Sequence, residues 1–221
     1  MTPQDHTATK TLYLVRHGQS THNVAPVFQS EAPPLSDIGL QQAGLIAERA
    51  SHLSFETLLA SPLPRARQTA EAIARTTGKQ PEFMDLLAEV RKPTSIAGKP
   101  HTDEQAGKIW IAWRKSLFEG GPRIEDGENF DDIVGRARQV LANLESRPEE
   151  SMVVVTHGFF LRTLIAVVAV GDALTQEAYS NFRKVMIVEN TSLTVLRHVS
   201  AFDEAASWRL AAYNDQAHLA D

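Results

Sequence analysis

Hydrophobic positions along the chain switch repeatedly between a run of neighbours and a helical spacing. Thr11-Leu12-Tyr13-Leu14-Val15 is a short apolar run closed by Arg16, His17 and Gly18, the pattern of a buried strand. After Pro33-Pro34, Ser36 or Asp37 can cap a helix that repeats Leu40, Ala43, Ala47 and Ala50 on one face. Thr57 to Ala60 reads as a second strand. Pro64 suits a first helical turn, and Ala66, Thr69, Ala70, Ile73 and Ala74 carry the stripe to a stop at Gly78. A third strand is expected around Phe83 to Leu87, followed by a Pro- and Gly-containing loop over 91–100. Helices are expected over Asp103 to Phe118 and Asn129 to Glu145. Asp126-Gly127-Glu128-Asn129-Phe130 is read as a turn plus a helix start. Met152-Val153-Val154-Val155 is the purest strand and leads through Thr156-His157-Gly158 into a helix from Phe159 to Val170. Val185 to Val188, Ser192 to Leu196 and Trp208 to Tyr213 read as closing strands that pair antiparallel. The alternation predicts an α/β fold, a three-layer αβα sandwich around a mostly parallel mixed sheet. Neither a repeat nor a linker interrupts it, so one domain over 1–221 is expected, with 1–10 as a flexible N-terminus.

Composition narrows the function classes. Of 221 residues, 43% are hydrophobic, and 22 Lys+Arg face 27 Asp+Glu for a formal charge of -5, which disfavours a broad nucleic-acid or anionic-lipid footprint. Any positive site must be local. The absence of Cys excludes disulfides, thiolate metal sites and cysteine nucleophiles and favours a cytoplasmic setting. The start Met1-Thr2-Pro3-Gln4-Asp5-His6 lacks a basic region followed by an apolar stretch, so no secretory signal is expected. Met152 to Val170, the most apolar stretch, is interrupted by His157 and Arg162 and makes no membrane span.

In layered sheets of this type ligands bind beyond the carboxyl ends of the strands. Arg16-His17-Gly18 and Thr156-His157-Gly158 both follow strands at that edge, so two histidines far apart in sequence can meet there. A neutral imidazole is a good nucleophile toward phosphorus when the anion is held and neutralised. Arg16 offers a planar donor fork, Gly18 lets the backbone approach closely, and Ser20 and Asn23 add neutral donors. Taken alone, Arg-His-Gly is only the polar end of a strand. The stretch Ser61-Pro62-Leu63-Pro64-Arg65-Ala66 enters a helix where free N–H groups favour anions, and Arg65 adds a cation in the first turn. Arg67 is expected to be a solvated charge paired with Glu71. Glu89, in Leu87-Ala88-Glu89-Val90-Arg91, is flanked by apolar residues, the setting in which a carboxyl holds a proton to donate; by itself it reads as a surface acid, and Asp85 and Glu82 are the nearby alternatives.

Together, Arg16-His17-Gly18-x-Ser20-x-x-Asn23, Ser61-Pro62-Leu63-x-Arg65-Ala66-x-x-Thr69-Ala70 and Thr156-His157-Gly158 resemble the motifs of the histidine phosphatase superfamily, also called phosphoglycerate-mutase-like, in order and spacing from about Leu12 to Leu196. The resemblance implies that His17 takes the phosphoryl group, that Arg16, Arg65 and His157 grip its oxygens, and that Glu89 protonates the departing oxygen and then serves as base. It implies a metal-independent phosphatase acting on a small phosphorylated metabolite, with no cofactor, metal, nucleic acid or membrane involved. Gln19, Ser20, Asn23, Arg91 and Gly158 are the candidate substrate contacts. Gln19 stands where many members carry Glu. The stretch Val90 to Lys99 fits neither the mutase pattern nor that of small-molecule phosphatases, which makes mutase activity the weaker alternative. There Arg91, Lys92, Lys99 and His101 offer either a second basic contact or a solvated loop. A catalytically idle phospho-ligand binding module is the reading from another class, and a homodimer is left open. His6, His22, His52, His198 and His218 show no metal-ligand spacing.

Overall fold

Leu12 and Leu14 point to one face of a central sheet and Val15 to the other, and this alternation separates two buried clusters. The computed structural model describes residues 7–21, 26–28, 33–201 and 204–219. Its sheet is built from β1 (Thr7–Arg16), β2 (Thr57–Ala60), β3 (Pro81–Phe83), β4 (Ser151–Thr156), β5 (Leu193–Ala201) and β6 (Glu204–Asp215) in the order β3-β2-β4-β1-β5-β6. The pairs β2 with β3, β2 with β4 and β1 with β4 are parallel; β1 with β5 and β5 with β6 are antiparallel. The expected αβα layering around a mixed sheet is present. Helices α1 (Asp37–Ser51) and α2 (Pro64–Thr77) cover one face through Ile46, Ala47, Ala70 and Ile73. Helices α3 (Glu104–Phe118), α4 (Phe130–Ser146), α5 (Gly158–Val170) and α6 (Gln176–Val185) cover the other through Trp113, Ile133, Leu164 and Tyr179.

Several helix boundaries follow from local chemistry. The Ser36 side chain accepts from the Gly39 N–H at the start of α1, Pro64 stands in the first turn of α2, and Gly78 ends it at φ 72°. Asn129 and Asp132 form a reciprocal capping box at the start of α4, as the turn-plus-helix reading of that segment expects.

Four expectations need correction. Residues 7–10 belong to β1, where pairing with β5 ties them down; Met1 to His6 lie outside the described residues. The third strand is Pro81–Phe83, because Asp85–Leu87 winds into a 3-10 turn that tucks Leu87 into the core. Val185 to Val188 is not a strand: Val185 closes α6, a helix absent from the sequence reading, and Val185 and Ile187 stay 73% and 61% exposed, so no sheet neighbour claims them. Arg67 lies 3.7 Å over the Phe83 ring instead of pairing with Glu71, since cation and ring meet where α2 crosses β3.

Candidate active site

Parallel pairing of β1 with β4 sets Arg16 opposite Thr156, so the next residues, His17 and His157, leave the sheet side by side. Their ring centroids are 4.9 Å apart in an edge-to-face arrangement. His17 is buried, and its Nδ1 lies 2.6 Å from the Gly18 carbonyl oxygen, to which it donates. That fixes the tautomer and leaves a lone pair on Nε2, which accepts from Arg65 Nε at 3.1 Å. Burial first, then the guanidinium groups of Arg65 and Arg16, hold the His17 pKa well below its ordinary value, so the ring is neutral.

His157 is fully buried behind His17, and its pKa is also pushed well down, chiefly by burial. The Ser61 hydroxyl accepts from the Leu63 N–H at 3.3 Å and shares a hydrogen bond with His157 Nε2, 2.7 Å away. The other ring nitrogen of His157, Nδ1, is buried and has no partner among the described residues. Arg16 donates to the Val188 carbonyl, and its Nε is likewise buried without a partner among the described residues. A guanidinium donor held in this state beside a neutral imidazole suits an anion.

Gly158 has a definite steric reason. A Cβ there would stand 3.0 Å from Arg16 Nε and 3.2 Å from its Cδ, so a side chain would press the guanidinium out of place. Gly18 is needed for a different contact: a Cβ would come within 2.6 Å of the Gly39 carbonyl where the loop after β1 crosses α1.

Glu89 lies at the N-terminus of α5. Its carboxylate accepts from the backbone N–H groups of Phe159 at 3.2 Å, Phe160 at 3.0 Å and Val90 at 2.9 Å. Its immediate setting is therefore polar, not the apolar one its sequence neighbours imply, because Phe159 and Phe160 present main chain to it. An internal brace holds its segment. Arg136 on α4 pairs with both oxygens of buried Glu128 at 2.8 Å and donates to the carbonyls of Leu86 at 2.8 Å and Ala88 at 2.7 Å. Glu128 in turn accepts from the Arg91 N–H.

Arg16, His17, Arg65, Glu89 and Gly158 line one cavity of about 670 Å³. His157 stands behind its wall. Gln19 and Ser20 do not line it. The Gln19 amide oxygen accepts from the Ser36 hydroxyl, and Ser20 bridges to Leu35 through the backbone, so both brace the loop against the start of α1. Arg91 is exposed and lines a smaller neighbouring cavity of about 410 Å³; Lys92, the next residue, reaches both. His101 instead packs edge-on against Phe28. Asn23 and His22 lie outside the described residues. Of the alternative acids, Glu82 pairs with Arg147 and Asp85 is exposed, and neither lines the cavity; Glu189, absent from the sequence reading, does. Arg114, Arg162 and Arg183 on the same walls were also missed. Arg162 carried a usable signal, being the one charged side chain in the apolar helix α5.

The family model for the histidine phosphatase superfamily (branch 1) matches residues 12–216. The chain belongs to that superfamily. It is 32% identical over 216 residues to a probable phosphoglycerate mutase, GpmB, of Photorhabdus laumondii, covering 94% of each chain. Identity to the similarly named protein of Proteus mirabilis is also 32%, over 218 residues and 95% of each. Among solved structures, Bacillus stearothermophilus YhfR superposes with a TM-score of 0.78 at 26% identity, covering 96% of this chain and 100% of that one. A mycobacterial glucosyl-3-phosphoglycerate phosphatase superposes with a TM-score of 0.73 at 27% identity, covering 94% and 99%. The superfamily thus presents both hydrolases and proteins named as mutases around this chain. Among the described residues, no helix is long and apolar enough to cross a membrane.

Proposed function

We propose that this superfamily member is a phosphomonoester hydrolase working through a phosphohistidine on His17, with Glu89 as acid and base. The observation that carries the reading is the state of His17. Its ring is neutral, its Nδ1–H is spent on Gly18, and its Nε2 lone pair is held by Arg65 at the wall of a strongly cationic cavity. When a phosphomonoester enters, Arg65 exchanges that lone pair for phosphoryl oxygens, joined by Arg16 and by His157, whose Nδ1 has no partner among the described residues. Nε2 then attacks phosphorus, the ester P–O bond breaks, its electron pair stays on the leaving oxygen, and Glu89 delivers the proton. Water attacks the phosphohistidine, Glu89 takes the proton of that water, and the N–P electron pair returns to Nε2 as phosphate departs. No step calls for a metal, because guanidinium groups neutralise the charge.

Glu89→Gln tests the assignment of the acid. It should slow alkyl phosphates at least about tenfold more than p-nitrophenyl phosphate, whose leaving group needs little proton help. Equal losses on both, with the selective loss found instead in Glu189→Gln, would move the acid to Glu189. The names of the 32% identical relatives favour a second reading, a phosphomutase that returns the phosphoryl group to another hydroxyl. Free phosphate released in excess of isomer formed supports the hydrolase, and the reverse supports the mutase. Binding of p-nitrophenyl phosphate without turnover would leave an idle phospho-ligand module.

A further inference from the structure

The carbonyl of His17 and the N–H of Gly18 belong to one peptide unit, and side chains from two distant segments hold its two polar ends. Asn190, in the turn between α6 and β5, donates from Nδ2 to the His17 carbonyl at 2.8 Å. On the opposite edge the Gly18 N–H donates to Thr69 Oγ1 on α2 at 3.2 Å, and Thr69 is itself fixed by donating to the Arg65 carbonyl at 2.8 Å. A peptide unit is planar, so bonds at both ends set the tilt of the whole plane. The next peptide carries the Gly18 carbonyl, which takes the Nδ1–H of His17 at 2.6 Å, and its N–H donates to Gln42 Oε1 at 2.9 Å. Gly18, with no side chain to stiffen its dihedrals, therefore lies between two fixed planes. If the first plane turns, the ring of His17 moves relative to the carbonyl that orients it, and the Nε2 lone pair loses its direction.

The turn that carries Asn190 is bound to the end of β1 at further points. Thr191 stands at φ 55°, a strained conformation for a β-branched residue. From there its N–H donates to the Arg16 carbonyl at 2.9 Å and its hydroxyl to the Asn190 carbonyl at 2.8 Å. The consecutive carbonyls of Arg16 and His17 are thus taken by the consecutive residues 191 and 190, while the Val188 carbonyl takes the Arg16 guanidinium. The end of β6 supports the turn from behind: Asn214 Oδ1 accepts from the Glu189 N–H at 2.7 Å, and the Tyr213 hydroxyl donates to the Ile187 carbonyl. Asn190 does not line the cavity, whereas its neighbour Glu189 does, so its route to the reaction runs through His17.

We infer that Asn190 is a positioning residue for the nucleophile: by holding the His17 carbonyl, opposite Thr69 on the same peptide, it keeps the imidazole aimed so that Nε2 meets phosphorus in line. The inference rests on the phosphohistidine reading of His17.

The test combines p-nitrophenyl phosphate kinetics with nitrogen-15 NMR of the His17 ring in the full chain, for Asn190→Leu, Thr69→Val and the double variant; Asn190→Ala is made alongside in case the leucine folds poorly, and melting curves verify the fold. Each single variant should lower kcat about 10- to 100-fold with KM within about threefold of the parent, because the phosphate contacts remain while the direction of attack is lost. Both side chains act on one peptide, so the double variant should be within about threefold of the slower single. Asn190→Gln, which keeps a donor on a longer arm, should recover part of kcat. The hydrogen-bonded Nδ1–H of His17 should exchange with solvent at least about tenfold faster in each single variant. Folded Asn190 variants with kcat within about twofold of the parent, or losses that multiply in the double variant, would overturn the assignment. If the parent itself does not turn over p-nitrophenyl phosphate, the hydrolase reading falls, and the ring exchange alone decides: an unchanged Nδ1–H refutes the peptide lock.

Discussion

Replacing Glu128 by Gln removes one charge from a pair whose side chains are only 6% and 14% exposed, so water can do little to screen what is left. The Arg136 guanidinium would remain buried, still donating to the Leu86 and Ala88 carbonyls and lying 4.1 Å from the centre of the Phe160 ring, but lacking its counter-charge. Breaking a buried pair from one side costs about 3–5 kcal/mol; Gln retains one acceptor, so about 2–4 kcal/mol is expected. For a chain of 221 residues that corresponds to a fall in melting temperature of roughly 5–15 °C. The same change releases the Arg91 N–H from its carboxylate partner and loosens the segment that presents Glu89. Hydrolysis of alkyl phosphates should therefore fall more than that of p-nitrophenyl phosphate. Calorimetric melting and paired kinetics read the two effects separately. The double variant Glu128→Met with Arg136→Met should recover part of the stability, since no buried charge is stranded, while the Glu89-dependent activity stays low because the Leu86 and Ala88 carbonyls have lost their donor. A single variant melting within about 1 °C of the parent would refute the brace, since even 1 kcal/mol shifts the midpoint of a chain this size by roughly 2–4 °C.

The two buried histidines, His17 and His157, make stability depend on pH. Both have folded pKa values well below the unfolded value of about 6.5, so the unfolded chain takes up protons first as pH falls. The stability they contribute is present above about pH 6.5 and is lost as pH drops from there toward the folded values; each depressed histidine adds about 1.4 kcal/mol per pH unit to the slope. Urea unfolding between about pH 5 and 6 should show that slope reduced in His157→Gln, and an unchanged slope would contradict the buried neutral state. Two glycines of α1 make a matched pair: a Cβ at Gly39 would stand 1.9 Å from the Gln19 carbonyl oxygen, whereas one at Gly44 meets nothing within 4 Å. Gly39→Ala should destabilise by at least about 2 kcal/mol and lower activity by moving the loop after His17, and Gly44→Ala should stabilise by about 0.5–1 kcal/mol. Chemical unfolding of both variants checks the pair, and similar values would contradict the packing.

The sheet centre was legible in the sequence because β1 and β4 are buried on both faces and read as unbroken runs such as Met152 to Val155, and the helices announced themselves through Ser36, Pro64, Gly78 and Asn129. The closing helix α6 was not legible. Its most buried residue is Tyr179, and Val185 to Val188 imitates a strand because Val185, Ile187 and Val188 are β-branched, though Val185 and Ile187 face solvent and only Val188 enters the core. At the site, the strand-end histidines and Arg65 were readable because chain order places them at one sheet edge. The brace of Glu128 with Arg136 and the arginines of the cavity wall come from separate helices, and no spacing within one segment records that they meet. Glu89 was found by its place in a motif, but two of the three backbone N–H groups that hold it belong to a helix about 70 residues later and left no local trace.

The most direct measurement is rapid-quench analysis of the protein during turnover of a labelled phosphomonoester, followed by mapping of the phosphorylated peptide. Acid-labile, alkali-stable phosphate should appear on His17 at least as fast as free phosphate is released, and His17→Asn should carry none. Steady hydrolysis by the unaltered protein with no label on His17 at any quench time would contradict the account.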